Sequence, residues 1–317
     1  MKGISYTSWA HDEYRSPESD RTLSQLIAPL GANWISLLVT RYQDQLSSTN
    51  IQIADGTPSD ESLSHAIQEA HSLGLRVMLK PHVDVYTGQG RVGINFGQDQ
   101  AAWATWFANY TSFITHYAAL AQQTHADYFV VGTELTGTSS RADQWRTVIV
   151  AIRQVYSGPL TYAANWGEES TVNWWSELDA IGVDAYYPVP SGSAVTVDQV
   201  TAAWAPHVTS LGQLSQKWKR PIIFTEIGYR SIAGAGRAPA DTQADGPVNL
   251  QEQATNYQAV FNALKGQAWW HGVFWWNWTP STTQGGPLDK NFTAHNKPAE
   301  DVLRRNFGAT TGAQATP

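Results

Sequence analysis

The sequence predicts a single (β/α)8 barrel, and three observations carry this prediction. Short runs of apolar and β-branched residues alternate with longer amphipathic stretches along the chain, eight of each. The length of 317 residues fits one barrel of this kind. Polar and aromatic residues follow the apolar runs, at the positions where the active sites of such barrels form.

The strands are predicted where apolar and β-branched residues are bounded by turn residues. In chain order they are Lys2–Thr7, Trp34–Tyr42, Arg76–Asp84, Asp127–Leu135, Leu160–Trp166, Ala180–Val189, Ile222–Tyr229 and Gly272–Trp278. The helices are predicted from helical spacing of apolar residues, with signals such as a start at Ser59 and an end at Gly74. In chain order they are Glu18–Leu30, Asp60–Leu73, Gln98–Thr124, Arg141–Tyr156, Thr171–Leu178, Val197–Trp218, Asn249–Gly266 and Lys297–Asn306.

A doubly wound sheet also alternates strands and helices, but it uses fewer strands and begins with a glycine-rich turn. The segment after the first strand, Ser8 to Asp12, contains no glycine. We therefore predict a catalytic barrel over residues 1–307 and a flexible tail over residues 308–317, which are small and polar. Two long loops, about 86–97 and 230–248, each follow a strand, so both are expected on the active-site face.

Composition excludes several classes of function. The net charge is −7 without a basic block, which argues against a nucleic acid or an anionic membrane as partner. The absence of cysteine excludes disulfides, thiolate metal sites and a cysteine nucleophile. No run reaches the ~18 apolar residues of a membrane span. We expect no signal peptide in Met1–Ala10, which lacks a basic segment followed by an apolar one, and the compartment is left open.

Aromatic residues are unusually frequent, with 15 Trp and 13 Tyr against 2 Met. A core can be built from Leu, Ile and Val alone, so the many indoles suggest flat apolar surfaces held in place for a ligand. The alternative for any single Trp is packing between the barrel and its helices.

The ends of the predicted strands supply the candidate site residues. They are Trp9, Arg41, His82, Asp84, Glu134, Asn165, Tyr186, Glu226, Trp276 and Trp278. The two glutamates stand out, because each ends an apolar strand, the fourth and the seventh, where a carboxyl group must be exposed at the barrel mouth or paired. Two carboxyl groups that face each other across a sugar suit glycoside hydrolysis, and a retaining enzyme holds them about 5–5.5 Å apart.

Five segments of the chain resemble clan A of the glycoside hydrolases and, within that clan, the family 113 β-mannanases. They are Lys2–Tyr6, Leu79–Asp84, Val131–Leu135, Phe224–Tyr229 and Gly272–Trp278. The resemblance extends over about Lys2–Phe307. The two segments with glutamates are typical of the clan, whereas the Lys-Pro-His segment and the Trp-rich last strand narrow the resemblance to the family.

This resemblance implies a retaining glycoside hydrolase that cleaves β-1,4-linked mannan or glucomannan. Glu134 matches the acid/base position and Glu226 the nucleophile position. Many clan members have an asparagine immediately before the acid/base, where it contacts the sugar 2-hydroxyl. This chain has Thr133 there, so that contact is expected from another residue, such as Asn165 or His82, or is weaker.

The remaining strand-end residues each have a binding interpretation and a structural alternative. Tyr186 is expected to hydrogen-bond Glu226, or else to cap the barrel rim. Trp276 and Trp278 share strand parity and are expected to stack on sugar or to pack in the core. Trp9 is a second candidate for stacking on sugar.

Three polar strand-end residues have similar pairs of interpretations. Arg41 either braces the nucleophile or pairs with an acid on the barrel floor. His82 and Asp84 alternate on one face of the third strand and are expected to bind sugar hydroxyls. The alternative for His82 is a buried, satisfied histidine.

A glycine-rich segment, Gly88–Gly93, formally matches the GxGxxG pattern. A dinucleotide fingerprint follows a strand directly and opens a helix. This segment lies in the middle of a long loop, so we do not interpret it as a nucleotide-binding site.

The two carboxyl groups supply the nucleophile and the proton, so no metal and no organic cofactor are expected. We expect a monomer whose partner is β-mannan or a manno-oligosaccharide, without a nucleic-acid or membrane partner. The alternatives are another clan A activity, such as a β-glucanase or β-mannosidase, and a barrel that only binds carbohydrate. Endo or exo action is left open.

Overall fold

The computed structural model describes residues 1–192 and 194–309. Over these residues, eight parallel strands close a barrel in chain order. The strands are β1 (Lys2–Tyr6), β2 (Trp34–Gln43), β3 (Arg76–Val85), β4 (Tyr128–Thr133), β5 (Leu160–Asn165), β6 (Ile181–Asp184), β7 (Ile222–Ile227) and β8 (Trp270–Trp278). Each strand pairs with the next, and β8 pairs with β1. The (β/α)8 fold expected from the sequence is confirmed.

The helices surround the barrel. They are α1 (Pro17–Arg21), α2 (Asp60–Ser72), α3 (Gln100–Gln123), α4 (Thr136–Ser139), α5 (Ala142–Val155), α6 (Val197–Ala203), α7 (Ala205–Trp218), α8 (Leu250–Leu264) and α9 (Pro298–Phe307). Side-chain caps fix several helix starts, as expected for the orphan N–H groups of a first turn. Ser59 accepts from the backbone of α2 at 3.1 Å, and Asp99 accepts from that of α3 at 2.9 Å.

The predicted helix over Thr171–Leu178 is wrong. Two 3-10 turns occupy this part of the chain, Glu168–Ser170 and Trp175–Glu177. Trp174 and Trp175 are both fully buried, and the indole N–H of each donates to a backbone oxygen. The two indoles are fixed by burial and by these hydrogen bonds within turns, so the apolar residues of this segment do not form a helix.

Two other helical predictions are divided in the structure. The stretch Glu18–Leu30 forms α1, a π-helical turn over Thr22–Ile27 and a 3-10 turn over Ala28–Leu30. The stretch Val197–Trp218 is divided into α6 and α7. Pro206 lies in the first turn of α7, where backbone N–H groups have no partner within the helix. A proline, which has no N–H, is therefore tolerated at this position and marks the start of a new helix.

The inside of the barrel has an apolar floor and a polar upper part. The floor is formed by Trp34, Met78, Tyr128, Val130, Ala163, Ala180, Ile223 and Phe274. Gly3 leaves room for the ring of Phe274, because a Cβ on Gly3 would lie 2.3 Å from that ring. Inward positions alternate along each strand, so on β3 the floor residue Met78 is followed by Lys80, His82 and Asp84.

The chain of α9 ends in a left-handed Gly308, with φ +69°. The predicted flexible tail, 308–317, lies outside the described residues except for Gly308 and Ala309.

Candidate active site

A cavity of about 330 Å³ opens at the carboxyl ends of the strands. Its lining comes from several strand ends and from three long loops, which is the usual construction of a site on this fold. The lining residues are His82, Gly90, Arg91, Val92, Glu134, Asn165, Trp166, Tyr186, Glu226, Ala240, Thr242, Trp276 and Phe292. Six of the ten predicted site residues are therefore brought together here, including both glutamates.

Glu226 lies near the end of β7 with a donor on each of its carboxylate oxygens. The ammonium group of Lys80 lies 2.6 Å from Oε1, and the Tyr186 hydroxyl donates to Oε2 at 3.0 Å. All three side chains are buried. A buried carboxylate that receives a cation and a neutral donor is held in one orientation, and its ionised form is favoured.

Lys80 also binds Asp184, at the end of β6. Its Nζ lies 2.9 and 3.0 Å from the two carboxylate oxygens, and both side chains are fully buried. The hydroxyl of Thr225 donates to the same carboxylate at 2.7 Å. Lys80 therefore lies between two acids, which share its charge.

Sequence reasoning missed Lys80, although one signal was available. On β3 it lies two residues before His82 and four before Asp84, so the strand period places all three on the inward face. A lysine inside a barrel is costly unless it is paired, which by itself points to buried acids at the ends of other strands.

Glu134 follows β4 in a left-handed backbone conformation, with φ +53°. This conformation is uncommon for a residue with a Cβ, so the surrounding chain has to hold it. Its own N–H donates to the oxygen of Ala163 at 2.8 Å, and the N–H of Leu135 donates to the Tyr162 hydroxyl at 2.8 Å. The Tyr162 hydroxyl in turn donates to buried Glu168 at 2.8 Å. The backbone on both sides of Glu134 is therefore fixed.

Among the described residues, the side chain of Glu134 forms one ion pair, with Arg91, whose Nη1 lies 3.5 Å from Oε2. Arg91 comes from the long loop after β3, within the glycine-rich segment that we did not assign to any site. Its Nε donates to Asp84 at 3.1 Å, and its Nη1 donates to Nδ1 of His82 at 3.0 Å. Arg91 thus joins the acid/base candidate to the polar end of β3.

His82 is neutral in this arrangement. Burial, reinforced by the charges of Arg91 and Lys80, lowers the pKa of His82 well below its usual range. Because Nδ1 accepts from Arg91, the ring proton belongs on Nε2. That atom lies 3.6 Å from Oε1 of Glu226, beyond hydrogen-bond length.

The electrostatics of the two glutamates differ in their partners. Burial raises the pKa of Glu134 to about 7, while Arg91 opposes the rise and the charge of Glu226 adds to it. Burial and the charge of Asp184 raise the pKa of Glu226 to about 7 as well, and Lys80 opposes them at close range. Two carboxyl groups that influence each other resist double ionisation. The ammonium of Lys80, 2.6 Å from Glu226, favours the ionised form of that carboxyl group.

Aromatic side chains form the walls of the cavity. Trp276 and Trp166 contribute indoles, and the ring of Trp166 lies 6.3 Å from that of Tyr186. Trp9, 44% exposed, lies edge-on beside Trp276 with ring centroids 6.3 Å apart. The amide oxygen of Asn165 is buried without a hydrogen-bond partner in the described part of the chain, so it is available to a ligand.

Arg41 lies away from this cavity, contrary to the sequence-based expectation. Side chains alternate between the two faces of a strand, and on β2 Trp34 points inward to the floor. Arg41 lies an odd number of residues after Trp34, so its side chain points outward. Its guanidinium lies over the ring of Tyr117 on α3, 5.0 Å from the centroid, and its Nε donates to the Tyr117 hydroxyl at 3.2 Å. We therefore leave Arg41 out of the site.

Trp278 does not line the site as predicted, because its side chain is fully buried in the layer between the barrel and the helices. Ile4 pairs with Trp275 and Tyr6 pairs with Trp278, so three residue steps on β8 match two on β1. This bulge breaks the alternation on which the shared face of Trp276 and Trp278 was predicted. Trp276 faces the cavity and Trp278 does not.

Asp84 lies beside the first cavity and lines a second one of about 460 Å³ that adjoins it. The loop over 230–248 reaches both cavities through Thr242, and the first also through Ala240.

Among the described residues, no cluster of three or more His, Cys, Asp or Glu side chains is arranged to hold a metal ion. In the same residues, no helix has both the length and the hydropathy to cross a membrane.

Comparisons with known proteins identify the family and the fold. A family model described as Glycoside Hydrolase Family 113 matches residues 5–297. The structure of a GH113 β-1,4-mannanase superposes with a TM-score of 0.90 at 27% identity, covering 98% of this chain and 99% of that one. The β-mannanase AaManA from Alicyclobacillus acidocaldarius, in complex with ManMIm, gives 0.88 at 30% identity over 98% and 97%.

A more distant structure, β-glucuronidase from Ruminococcus gnavus, shares the fold alone. It gives a TM-score of 0.65 at 13% identity, covering 97% of this chain and 50% of that one. A comparison with curated proteins found no match. The match to the family model over most of the chain decides the assignment: the chain belongs to glycoside hydrolase family 113.

Proposed function

We propose that this glycoside hydrolase cleaves β-1,4-linked mannan or glucomannan with retention of configuration, and that residues 1–307 form its catalytic unit. Glu226 is the nucleophile and Glu134 the acid/base. The single observation that carries this proposal is the difference between the two carboxyl groups that line one cavity. Glu226 accepts hydrogen bonds from Lys80 at 2.6 Å and from Tyr186 at 3.0 Å, whereas the ion pair of Glu134 in the described part of the chain is with Arg91, at 3.5 Å.

In the first step, a carboxylate oxygen of Glu226 attacks the anomeric carbon of the sugar. The bond from that carbon to the glycosidic oxygen breaks, and Glu134 gives its proton to the leaving oxygen. The raised pKa of Glu134 keeps this proton in place near neutral pH until the oxygen takes it. Lys80 and Tyr186 orient the attacking carboxylate and favour its ionised form.

In the second step, Glu134 is a carboxylate and takes a proton from water. The water oxygen attacks the anomeric carbon, and the ester bond to Glu226 breaks. The nearby guanidinium of Arg91 stabilises the charge that Glu134 now carries. The two carboxyl groups supply both the nucleophile and the proton transfers, so the reaction requires neither a metal ion nor an organic cofactor.

The aromatic walls suit the apolar faces of a sugar ring. Trp276 lines the cavity with Glu134 and Glu226, and Trp9 extends the same wall outward. Stacking on these indoles holds a ring in place but separates mannose from glucose poorly, because the two sugars differ only in the direction of the 2-hydroxyl.

Discrimination therefore needs a polar group placed for the axial 2-hydroxyl. His82 and Asn165 both line the cavity, and each has a buried polar atom without a partner among the described residues, Nε2 and Oδ1. The wrong epimer leaves such an atom unpaired, at a cost of about 1–3 kcal/mol. The two residues take the place of the asparagine that many clan members have where this chain has Thr133.

The experiment is a kinetic comparison on manno-, gluco-manno-, cello- and xylo-oligosaccharides of equal length. We expect kcat/KM on the mannan series to exceed that on cello-oligosaccharides at least ~10-fold, the factor that one contact of ~1.4 kcal/mol supplies. Comparable values on the manno and cello series would contradict the mannan assignment and indicate another β-glycosidase activity. No turnover of any member, with binding retained, would indicate a barrel that only binds carbohydrate.

A further inference from the structure

We infer that Glu168, a buried acid whose side chain lines neither cavity, is the positioning residue of the acid/base Glu134. It acts by joining the chain that follows β4 to the end of β5. This inference rests on the proposed function, since it takes Glu134 as the acid.

Two separate links run from Glu168 to the residues that follow Glu134. The N–H of Leu135 donates to the Tyr162 hydroxyl at 2.8 Å, and this hydroxyl donates to Oε1 of Glu168 at 2.8 Å. The hydroxyl of Thr136 donates to Oε2 of Glu168 at 2.9 Å. The carboxylate therefore holds the chain on the carboxyl-terminal side of the acid/base.

The same carboxylate holds the end of β5. The N–H of Asn165 donates to Oε2 of Glu168 at 2.9 Å. Between these two residues lie Trp166 and Gly167, and the glycine has the left-handed conformation, with φ +88°, that lets the chain turn back here. Asn165 and Trp166 line the first cavity, so Glu168 joins this part of the wall to the acid/base.

The surroundings of Glu168 suit an ionised carboxylate. It accepts from three donors, and an ionised carboxylate accepts at both oxygens and donates nowhere. Glu168 is only 5% exposed and Tyr162 is fully buried, and hydrogen bonds to a charged group are strong in such surroundings. They help to hold Glu134 in its left-handed conformation, which is costly for a residue with a Cβ.

The position of Glu134 matters for one part of the chemistry. A general acid must lie within hydrogen-bond reach of the leaving oxygen that takes its proton. A leaving group that departs as a stable anion needs no proton. Displacement of Glu134 should therefore slow the cleavage of a natural glycosidic bond and spare an aryl glycoside whose leaving group is acidic.

The test measures kcat/KM, which reports the first step, on mannopentaose and on dinitrophenyl β-mannobioside. If the enzyme prefers cello-oligosaccharides, the corresponding pair of that series is used. Glu168→Gln replaces one acceptor by an amide NH2, which either faces the Asn165 N–H or removes the acceptor of the Tyr162 hydroxyl. We expect a loss of about 10-fold or more on the pentaose and of at most about 2-fold on the aryl substrate.

Glu169→Gln is the matched control. This neighbouring acid is also buried and accepts from the Tyr187 hydroxyl at 2.7 Å, but it lines neither cavity and forms no link to the chain after β4 among the described residues. The ratio of the two kcat/KM values should stay that of the wild type. A ratio changed as much as in Glu168→Gln would contradict the inference.

Equal losses of Glu168→Gln on the two substrates, or no loss on either, would overturn the inference, because a residue that only supports the fold affects both substrates alike. If Glu168→Gln does not fold, Tyr162→Phe decides in the same way. It keeps the ring and breaks the link from Leu135 to Glu168, so the pentaose alone should be affected.

Glu134→Ala, measured on the same two substrates, separates this inference from the proposed function. If Glu134→Ala spares the aryl substrate and Glu168→Gln does not, the acid/base role stands and the positioning role of Glu168 fails. If Glu134→Ala loses both substrates equally, the acid/base role fails, and the positioning role of Glu168 falls with it.

Discussion

The Nζ atom of Lys80 lies 2.6 Å from Oε1 of Glu226, on a strand four places away around the barrel. The same ammonium binds Asp184, so one buried cation serves two buried acids. Removing a single partner from such a set leaves an unpaired buried charge, which costs about 3–5 kcal/mol. The contact therefore supports both the fold and the charge of the nucleophile.

Lys80→Met should reduce kcat/KM and destabilise the enzyme, and it should raise the pKa of Glu226, because the cation that opposes the rise is gone. Glu226 acts in its ionised form, so the acidic limb of the pH profile of kcat/KM should move to higher pH. The double variant Lys80→Met/Asp184→Asn also removes the charge of Asp184, which raises the pKa of Glu226, so it should recover part of the stability and move the acidic limb back toward lower pH. An acidic limb of Lys80→Met that stays in place would show that Lys80 acts through folding alone.

Tyr186→Phe removes the second donor to Glu226. A hydrogen bond to a charged group contributes about 1.5–3 kcal/mol, so we expect kcat/KM to fall roughly 10-fold or more. The acidic limb of the profile should again move to higher pH. Tyr187→Phe is a matched control, because the neighbouring tyrosine is also buried and also donates to an acid, Glu169, outside the cavity. Equal losses in the two variants would argue against a special role for Tyr186.

Glu134→Ala should separate substrates by the quality of their leaving groups. Removing a general acid costs about 10²–10⁴-fold where the leaving oxygen needs a proton, as in a polysaccharide. Aryl mannosides with acidic leaving groups need none and should retain more activity. Azide should restore part of the rate, because it replaces the water that Glu134 activates. Equal loss on both kinds of substrate, without rescue by azide, would remove Glu134 from the acid/base role.

Arg91→Met should raise the pKa of Glu134, because Arg91 lies 3.5 Å from its carboxylate and opposes the rise caused by burial. Glu134 acts in its protonated form in the first step, so the alkaline limb of kcat/KM should move to higher pH. Arg141→Met is the matched control, since this arginine stacks on Trp103 and lies outside both cavities. An alkaline limb that stays in place would contradict the coupling between Arg91 and Glu134.

The fold could be predicted from the sequence because its signals are local. Alternating apolar runs and helical stretches mark each βα unit, and the two glutamates are recognisable because each lies at or just after the end of a buried strand. The helix predicted over Thr171–Leu178 is wrong because the two consecutive tryptophans of this segment are buried in turns, so its apolar residues do not mark a helix.

The site was predicted less completely, because its contacts join distant parts of the chain. Arg91 approaches Glu134 only when the loop after β3 folds over the cavity, and no spacing in the sequence indicates this. Trp278 was placed on the wrong face because a bulge in β8 is not visible in the pattern of residues. Lys80 could have been predicted, because the alternation of side chains along β3 places it on the same inward face as His82.

Identification of the nucleophile tests the central claim most directly. The active enzyme is incubated with an activated 2-deoxy-2-fluoro-mannoside, and the labelled residue is located by intact-mass analysis followed by peptide mapping. We expect one fluoro-mannosyl group per chain, attached to Glu226, with loss of activity in proportion to labelling. Attachment to a different carboxylate, or inactivation without any covalent adduct, would contradict the account.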